Sequence, residues 1–190
     1  MKWVIAILGL VLIMGFFIGC KKETVNGYKV YKIKEGQHRS SVCIKTLAHH
    51  TLMFEAIFDG SAVYTTSDPV NQHDINKLYG FSECNQRHHK NSARFGWRWL
   101  NGNLEIHAYV YNDGERTSQF ITNVSLNKSY KYSIEMYDDY YVFRVDNESI
   151  KMTRTNNCDT GLFYMLFPYF GGDEKAPHEI KIQIREDRRR

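Results

Sequence analysis

The stretch Arg94-Phe95-Gly96-Trp97-Arg98-Trp99-Leu100-Asn101-Gly102-Asn103-Leu104-Glu105-Ile106-His107-Ala108-Tyr109-Val110-Tyr111 decides the fold. In its first half Phe95, Trp97 and Trp99 alternate with Arg94, Gly96 and Arg98; in its second, Leu104, Ile106, Ala108 and Val110 alternate with Glu105, His107, Tyr109 and Tyr111. Successive side chains of a strand point to opposite faces, so a period of two gives each half one apolar face and one polar or aromatic face. Asn101-Gly102 supplies the residues that tolerate the positive φ of a tight hairpin turn. Closing a two-residue turn there sets Trp99 opposite Leu104, Trp97 opposite Ile106 and Phe95 opposite Ala108. On the other face Arg98 meets Glu105, Gly96 meets His107 and Arg94 meets Tyr109. A slip of one residue would set rings against charges on both faces, so this register is strongly preferred.

The same alternation continues outward. Asn112-Asp113-Gly114 makes the next turn, and Tyr130, Tyr132, Ile134 and Met136 share one face. After a turn at Asp138-Asp139, Tyr141, Phe143 and Val145 lead to Asp146-Asn147, and Ile180, Ile182 and Ile184 form a closing strand. Only Asp74 to Leu78 reads as a short helical turn, and no linker, repeat or low-complexity block interrupts the chain. The pattern predicts an all-β chain folded as a two-sheet antiparallel β-sandwich. Ser61 to Asn91 reads as a long loop of little strand character, pinned to the core by Tyr79 and Phe81, of the kind that walls a site. Phe170 to His178 is a second such loop, in which Gly171 and Gly172 permit close backbone approach beside Asp173, Glu174 and His178.

Arg94, Arg98, Glu105, His107, Tyr109 and Tyr111 therefore share one outward face and form the candidate ligand-binding set. Rings beside guanidinium and carboxylate suit a sugar: the rings stack on its C–H face, the charged groups take its hydroxyls, and an arginine pairs with an acidic sugar's carboxylate. The alternative is structural. Arg98 and Glu105 would then be a cross-strand pair worth well under about 1 kcal/mol, and the tyrosines would pack beneath a covering loop.

Other residue types point elsewhere more weakly. Cys43, Cys84 and Cys158 allow one disulfide and one spare thiol, without a choice of pair. His88 and His89 follow Cys84, but adjacent histidines point apart on a strand, and neither they nor His49-His50 match a metal-ligand spacing. Asp68, Asn71, Asp74 and Asn76 are the oxygens that a structural calcium ion would use, although they lack the fixed loop spacing and fit a turn-rich loop bent at Pro69. No metal or cofactor is expected.

Lys2 precedes an uncharged apolar run from Trp3 to Gly19 that ends in Phe17-Ile18-Gly19-Cys20. This segment resembles the signal peptide and lipobox of a bacterial lipoprotein, with Phe17 in place of the usual Leu. The resemblance implies cleavage before Cys20, acylation of Cys20 and a domain held at a membrane outside the cytoplasm. As a spanning helix the run would reach roughly 25 Å, short of the roughly 30 Å hydrocarbon core. Losing Lys2 takes 25 Lys and Arg to 24 against 21 Asp and Glu, from +4 to +3. That balance is too mild to argue for nucleic acid. The expected organisation is a signal peptide over residues 1–19, a tether over 20–27, the sandwich over 28–186 and a basic tail over 187–190.

The run from Tyr130 to Ile134, then Tyr141 to Asn147, then Phe167-Pro168-Tyr169-Phe170-Gly171-Gly172 and Ile180 to Ile184 resembles the closing half of concanavalin A-like jelly rolls. That superfamily includes laminin-G modules, legume-type lectins and glycan-cleaving enzymes. Jelly-roll polysaccharide lyases combine an Arg that offsets a uronate carboxylate with a His and a Tyr that move protons. By that likeness Arg94, His107 and Tyr109 would be the catalytic set, but Gln-x-His is missing and Glu105 would repel a uronate. The glucanase motif Glu-x-Asp-x-x-Glu does not occur. The expectation is a lipid-anchored sandwich that binds carbohydrate without cleaving it. Its alternatives are a uronate-directed lyase and an envelope scaffold whose partner is a protein.

Overall fold

The computed structural model describes residues 23–40, 44–47, 50–156, 158 and 160–187; the expected signal peptide and Cys20, and also Cys43 and His49, lie outside them. In chain order the strands are β1 (Thr24–Val25), β2 (Tyr28–Ile33), β3 (Thr46–Leu47), β4 (Thr51–Phe58), β5 (Asn76–Ser82), β6 (Ser92–Leu100) and β7 (Asn103–Asn112). They continue as β8 (Glu115–Val124), β9 (Tyr130–Met136), β10 (Tyr140–Val145), β11 (Glu148–Thr153), β12 (Phe163–Leu166) and β13 (Ile180–Glu186). They form a seven-stranded sheet, β1-β2-β13-β4-β9-β10-β11, and a six-stranded sheet, β3-β12-β5-β6-β7-β8. All the pairings are antiparallel.

The deciding hairpin has the register its sequence selects: Phe95 pairs with Ala108, Trp97 with Ile106, Arg94 with Tyr109 and Arg98 with Glu105. Asn101 at φ 49° and Gly102 at φ 75° make the turn between them. The apolar face closes the core. Phe95 lies 5.1 Å from Tyr132 and 5.2 Å from Phe143 across the sandwich, and Trp97 lies 5.2 Å from Phe58. Each such ring, fully buried, contributes on the order of 1.5–3 kcal/mol. Ile180, Ile182 and Ile184 face the same core.

Three local expectations are corrected. The helical turn lies at Pro69–His73, not at Asp74 to Leu78, because the Asp68 side chain accepts the Val70 N–H and Pro69 opens the turn. Residues 61–91 are not one loop but contain β5, an internal strand of the six-stranded sheet. Its alternation is hidden because the register shifts between Lys77 and Gly80, so Leu78 and Tyr79 are both buried. Thr24 and Val25, inside the expected tether, pair with β2 through an Asn26-Gly27 turn, a hairpin dipeptide like Asn101-Gly102.

Beyond β5 the two sheets are clamped by polar chemistry. Arg154, after β11, sends Nε to Glu83 Oε1 at 3.0 Å, and both side chains are at most 1% exposed. Tyr141 and Asn156 donate to the same carboxylate, while Arg154 donates to the carbonyls of Tyr137 and Cys158. Beside this pair Cys84 is bonded to Cys158 across 74 residues. Closing a loop of that length in the unfolded chain is worth about 4 kcal/mol. The double variant Cys84→Ser/Cys158→Ser should lose about that much in denaturant unfolding. A loss under about 1 kcal/mol would mean that other contacts already restrict the loop.

Candidate functional site

The six candidate residues do share the outer face of β6 and β7, but they divide into two groups. In the first, Arg98 Nε donates to Glu105 Oε2 at 2.6 Å and Arg98 Nη1 to the His73 carbonyl at 2.9 Å. His107 Nε2 lies 3.0 Å from the same Glu105 oxygen. Burial alone would raise the Glu105 carboxyl, but the Arg98 and His107 hydrogen bonds more than offset it and leave the group below its ordinary value. Burial lowers His107 despite the Glu105 bond. Arg98, Glu105 and His107 are thus engaged with one another, as the structural alternative predicts.

The second group centres on Arg94. Its strand partner across β5 is Gly80, and a Cβ placed there would stand 2.6 Å from Arg94 Cγ and collide with the Ala93 carbonyl oxygen. The bare glycine lets the arginine stem lie flat across β5. Arg94 is only 5% exposed, and its Nε has no hydrogen-bond partner. It borders a cavity of ≈ 240 Å³ whose walls include Arg39, Ser40, His88, Pro168 and Tyr169. Ser40 Oγ is also buried without a partner, and among the described residues no carboxylate lines this cavity. The wall is built by backbone bridges from Arg39 to Tyr169 and from Tyr169 to Lys77.

Tyr109 was expected to stand open on this face; it is 2% exposed. Lys77 Nζ lies 5.2 Å, and the Arg94 guanidinium 5.5 Å, from its ring centre. Lys77 also donates to the Gly171 carbonyl at 2.9 Å. Tyr111 is half-buried, 5.8 Å from the Tyr109 ring and 5.2 Å from His89.

Burial and the charge of Arg94 depress its basic neighbours. Burial, followed by the charge of Arg94, lowers Lys77 to about 8 and His88 to about 4. Burial brings Arg94 down to about 10, still high enough to keep it charged at neutral pH. Burial also pushes the Tyr109 phenol up to about 12. A cavity with that electrostatic imbalance is suited to an anion.

The loop candidates are occupied by loop structure. Glu174 accepts the N–H groups of Ser67 and Asp68 and the amide of Asn71. Asn76 accepts from Gly171 N and donates to the Tyr64 hydroxyl; Asp74 accepts from Asp173 N; His178 meets the Ser61 carbonyl. Asp68, Asn71, Asp74 and Asn76 therefore bind their own loops. Among the described residues no group of three or more His, Cys, Asp or Glu could hold a metal ion. Sequence reasoning missed Arg39, Ser40, Lys77 and Tyr169 as site residues. Lys77 is masked by the irregular β5, and the others reach the site only through long-range bridges.

No protein-family model and no curated protein sequence matches the chain. Solved structures of similar shape do exist. The endo-β-1,3(4)-glucanase SCLam of family GH16 has a TM-score of 0.56 at 9% identity, covering 84% of this chain and 70% of its own. The alginate lyase AlyC3 has a TM-score of 0.56 at 10% identity, covering 84% and 74%. A structure described with the endo-acting O-glycanases that prominent human gut microbiota use to initiate mucin breakdown has a TM-score of 0.52 at 13% identity, covering 84% and 77%. At this identity the likeness establishes the fold: a jelly-roll sandwich of two antiparallel sheets.

Gly80→Ala tests how the site is built. The added methyl must displace Arg94 or the β6 backbone, so unfolding should weaken by about 1–3 kcal/mol. An unchanged melting temperature would show that Arg94 does not depend on the glycine.

Proposed function

We propose that the outer face of the six-stranded sheet binds an acidic carbohydrate, takes its carboxylate into the Arg94 cavity, and releases it uncleaved. One observation carries this reading: Arg94 and Ser40, whose Nε and Oγ are buried without partners, line a cavity that also takes in Arg39 and, among the described residues, has no carboxylate in its wall. A buried guanidinium without a counter-charge is costly, and a ligand carboxylate in the cavity beside it would relieve that cost. The carbohydrate part draws support from the jelly-roll neighbours, a glucanase and an alginate lyase among them.

The chemistry favours binding over cleavage. Hydrolysis needs two carboxyl groups across the scissile bond. Among the described strand residues this face offers Glu105, which Arg98 and His107 already hold. Elimination needs a base and an acid that reach the sugar. His107 is 5% exposed and tied to Glu105, and Tyr109 lies beneath Lys77 and Arg94. On the sequence, acylation at Cys20 would hold this domain against a membrane outside the cytoplasm; the intact mass of detergent-extracted protein tests that anchoring.

Titration calorimetry with oligogalacturonate and with neutral cello-oligosaccharide tests the function. The acidic sugar should bind and the neutral one should not. Arg94→Ala should weaken binding roughly 10- to 100-fold, the scale of a charged hydrogen bond of about 1.5–3 kcal/mol. Equal binding of both sugars would overturn the anion site, and unsaturated fragments in the mass spectrum of the mixture would overturn non-cleavage.

The affinity should also follow pH. Lys77 carries its charge below about 8 and loses it above, while the sugar carboxylate stays ionised above about 5. Affinity should therefore be full between about 5 and 8 and fall as pH rises through about 8. Lys77→Met should bind more weakly and abolish that fall; a fall that survives in the variant would show that another group titrates.

A further inference from the structure

Beyond the anion cavity, we infer that Phe120 forms a second subsite on the same face, a stacking platform for an uncharged ring face of the sugar chain whose acid sits at Arg94. The inference rests on the acidic-carbohydrate reading and extends it from one sugar to an oligosaccharide.

Phe120 lies on β8, the edge strand of the six-stranded sheet, and is 46% exposed. Isolated surface phenylalanines need no explanation. Two features set this one apart. The first is backbone geometry. The β7–β8 ladder shifts register between Ile106 and His107, so that Phe120 pairs with His107 and Thr122 with Ile106. The inserted Ile121 is buried in the core, and Phe120 stays opposite His107 on the outer face. Bulges of this kind re-aim a side chain.

The second feature is support. The Phe120 ring sits 5.6 Å from the His107 ring with the planes at 75°, an edge-to-face contact. His107 is fixed by Glu105, which Arg98 holds. The Arg98, Glu105 and His107 cluster, whose members hydrogen-bond to one another, thus acts as a buttress for an exposed aromatic ring. Tyr and Phe faces suit the C–H face of a pyranose.

The ladder also sets the spacing. Arg94 pairs with Tyr109, and Tyr109 with Ser118, two residues along β8 from Phe120. Two strand spacings of about 4.8 Å and one two-residue repeat of about 6.8 Å place the Arg94 and Phe120 backbones about 12 Å apart. One sugar-to-sugar step is too short for that span, so three linked pyranose rings are needed to place one ring at each end. The preferred ligand is accordingly a chain of at least three sugars, acidic at the unit held by Arg94.

The experiment uses the full chain in detergent and oligogalacturonates from the disaccharide to the hexasaccharide. Wild-type affinity should climb with length until the chain reaches Phe120 and then level. Phe120→Ala should leave the disaccharide affinity unchanged and remove the climb, roughly tenfold for the longer chains, the scale of one aromatic contact. Phe120→Trp should restore it. Arg94→Ala, by contrast, should weaken every length. A length dependence that survives Phe120→Ala overturns the subsite. Failure of every length to bind the wild-type protein overturns the acidic-carbohydrate reading itself, and with it this extension.

Discussion

Phe95 and Trp97 can enter the core only if Arg94 and Arg98 do not, because neighbours in a strand face opposite ways. The rest of the molecule follows from that constraint. With Phe95 packed on Tyr132 and Phe143, and Trp97 on Phe58, the two sheets are locked in one relative position. The polar partners are then committed to the outer face with no freedom to shift register. Moving the hairpin by one residue would bury two arginines and expose the largest rings of the core, so the site's geometry inherits the rigidity of the sandwich.

Within that face, charge decides which residues are structural. Arg98 finds Glu105 on its paired strand and is neutralised there. Arg94, two pairs along, finds Tyr109 instead, a ring that offers only a weak attraction for a cation. Gly80 gives Arg94 room to lie down, and the 166–169 segment with Arg39 and Ser40 then walls it in. Among the described residues no acid lies within ion-pair distance of His88 or Lys77, and burial with Arg94 leaves His88 neutral and lowers Lys77 to about 8. The face is thus divided by one acidic residue: where Glu105 reaches, the side chains are self-satisfied, and beyond its reach the electrostatic field is uncompensated.

Much of this was legible in the sequence, and the remainder was hidden for physical reasons. Alternation at Phe95 to Trp99 and Leu104 to Val110, with Asn101-Gly102 between, specified the hairpin to the residue. The same logic identified the six residues of the outer face. It did not identify which were free, since that depends on whether Glu105 bends toward Arg98 and His107, a matter of side-chain reach that a period of two does not encode. Nor did it find β5, where a bulge places Leu78 and Tyr79 on the same buried side and erases the pattern. Arg39 and Tyr169 meet through a bridge spanning most of the chain, and no local signal marks either. The disulfide partner of Cys84 was equally non-local.

Two arginines among the described residues, Arg94 and Arg154, are almost completely removed from water, and their contrasting surroundings separate folding from function. Arg154 is 3% exposed and meets Glu83 and the carbonyls of Tyr137 and Cys158, so its charge and donors are satisfied within the chain. It clamps the sheets and needs nothing from outside. Arg94 is 5% exposed, and its Nε meets no acceptor. Removing a charge from water without a partner costs stability. A chain that places one buried arginine among acceptors has the means to do so for both. The unsatisfied one faces a cavity instead of the core, and the acceptor it lacks is what an acidic ligand would bring.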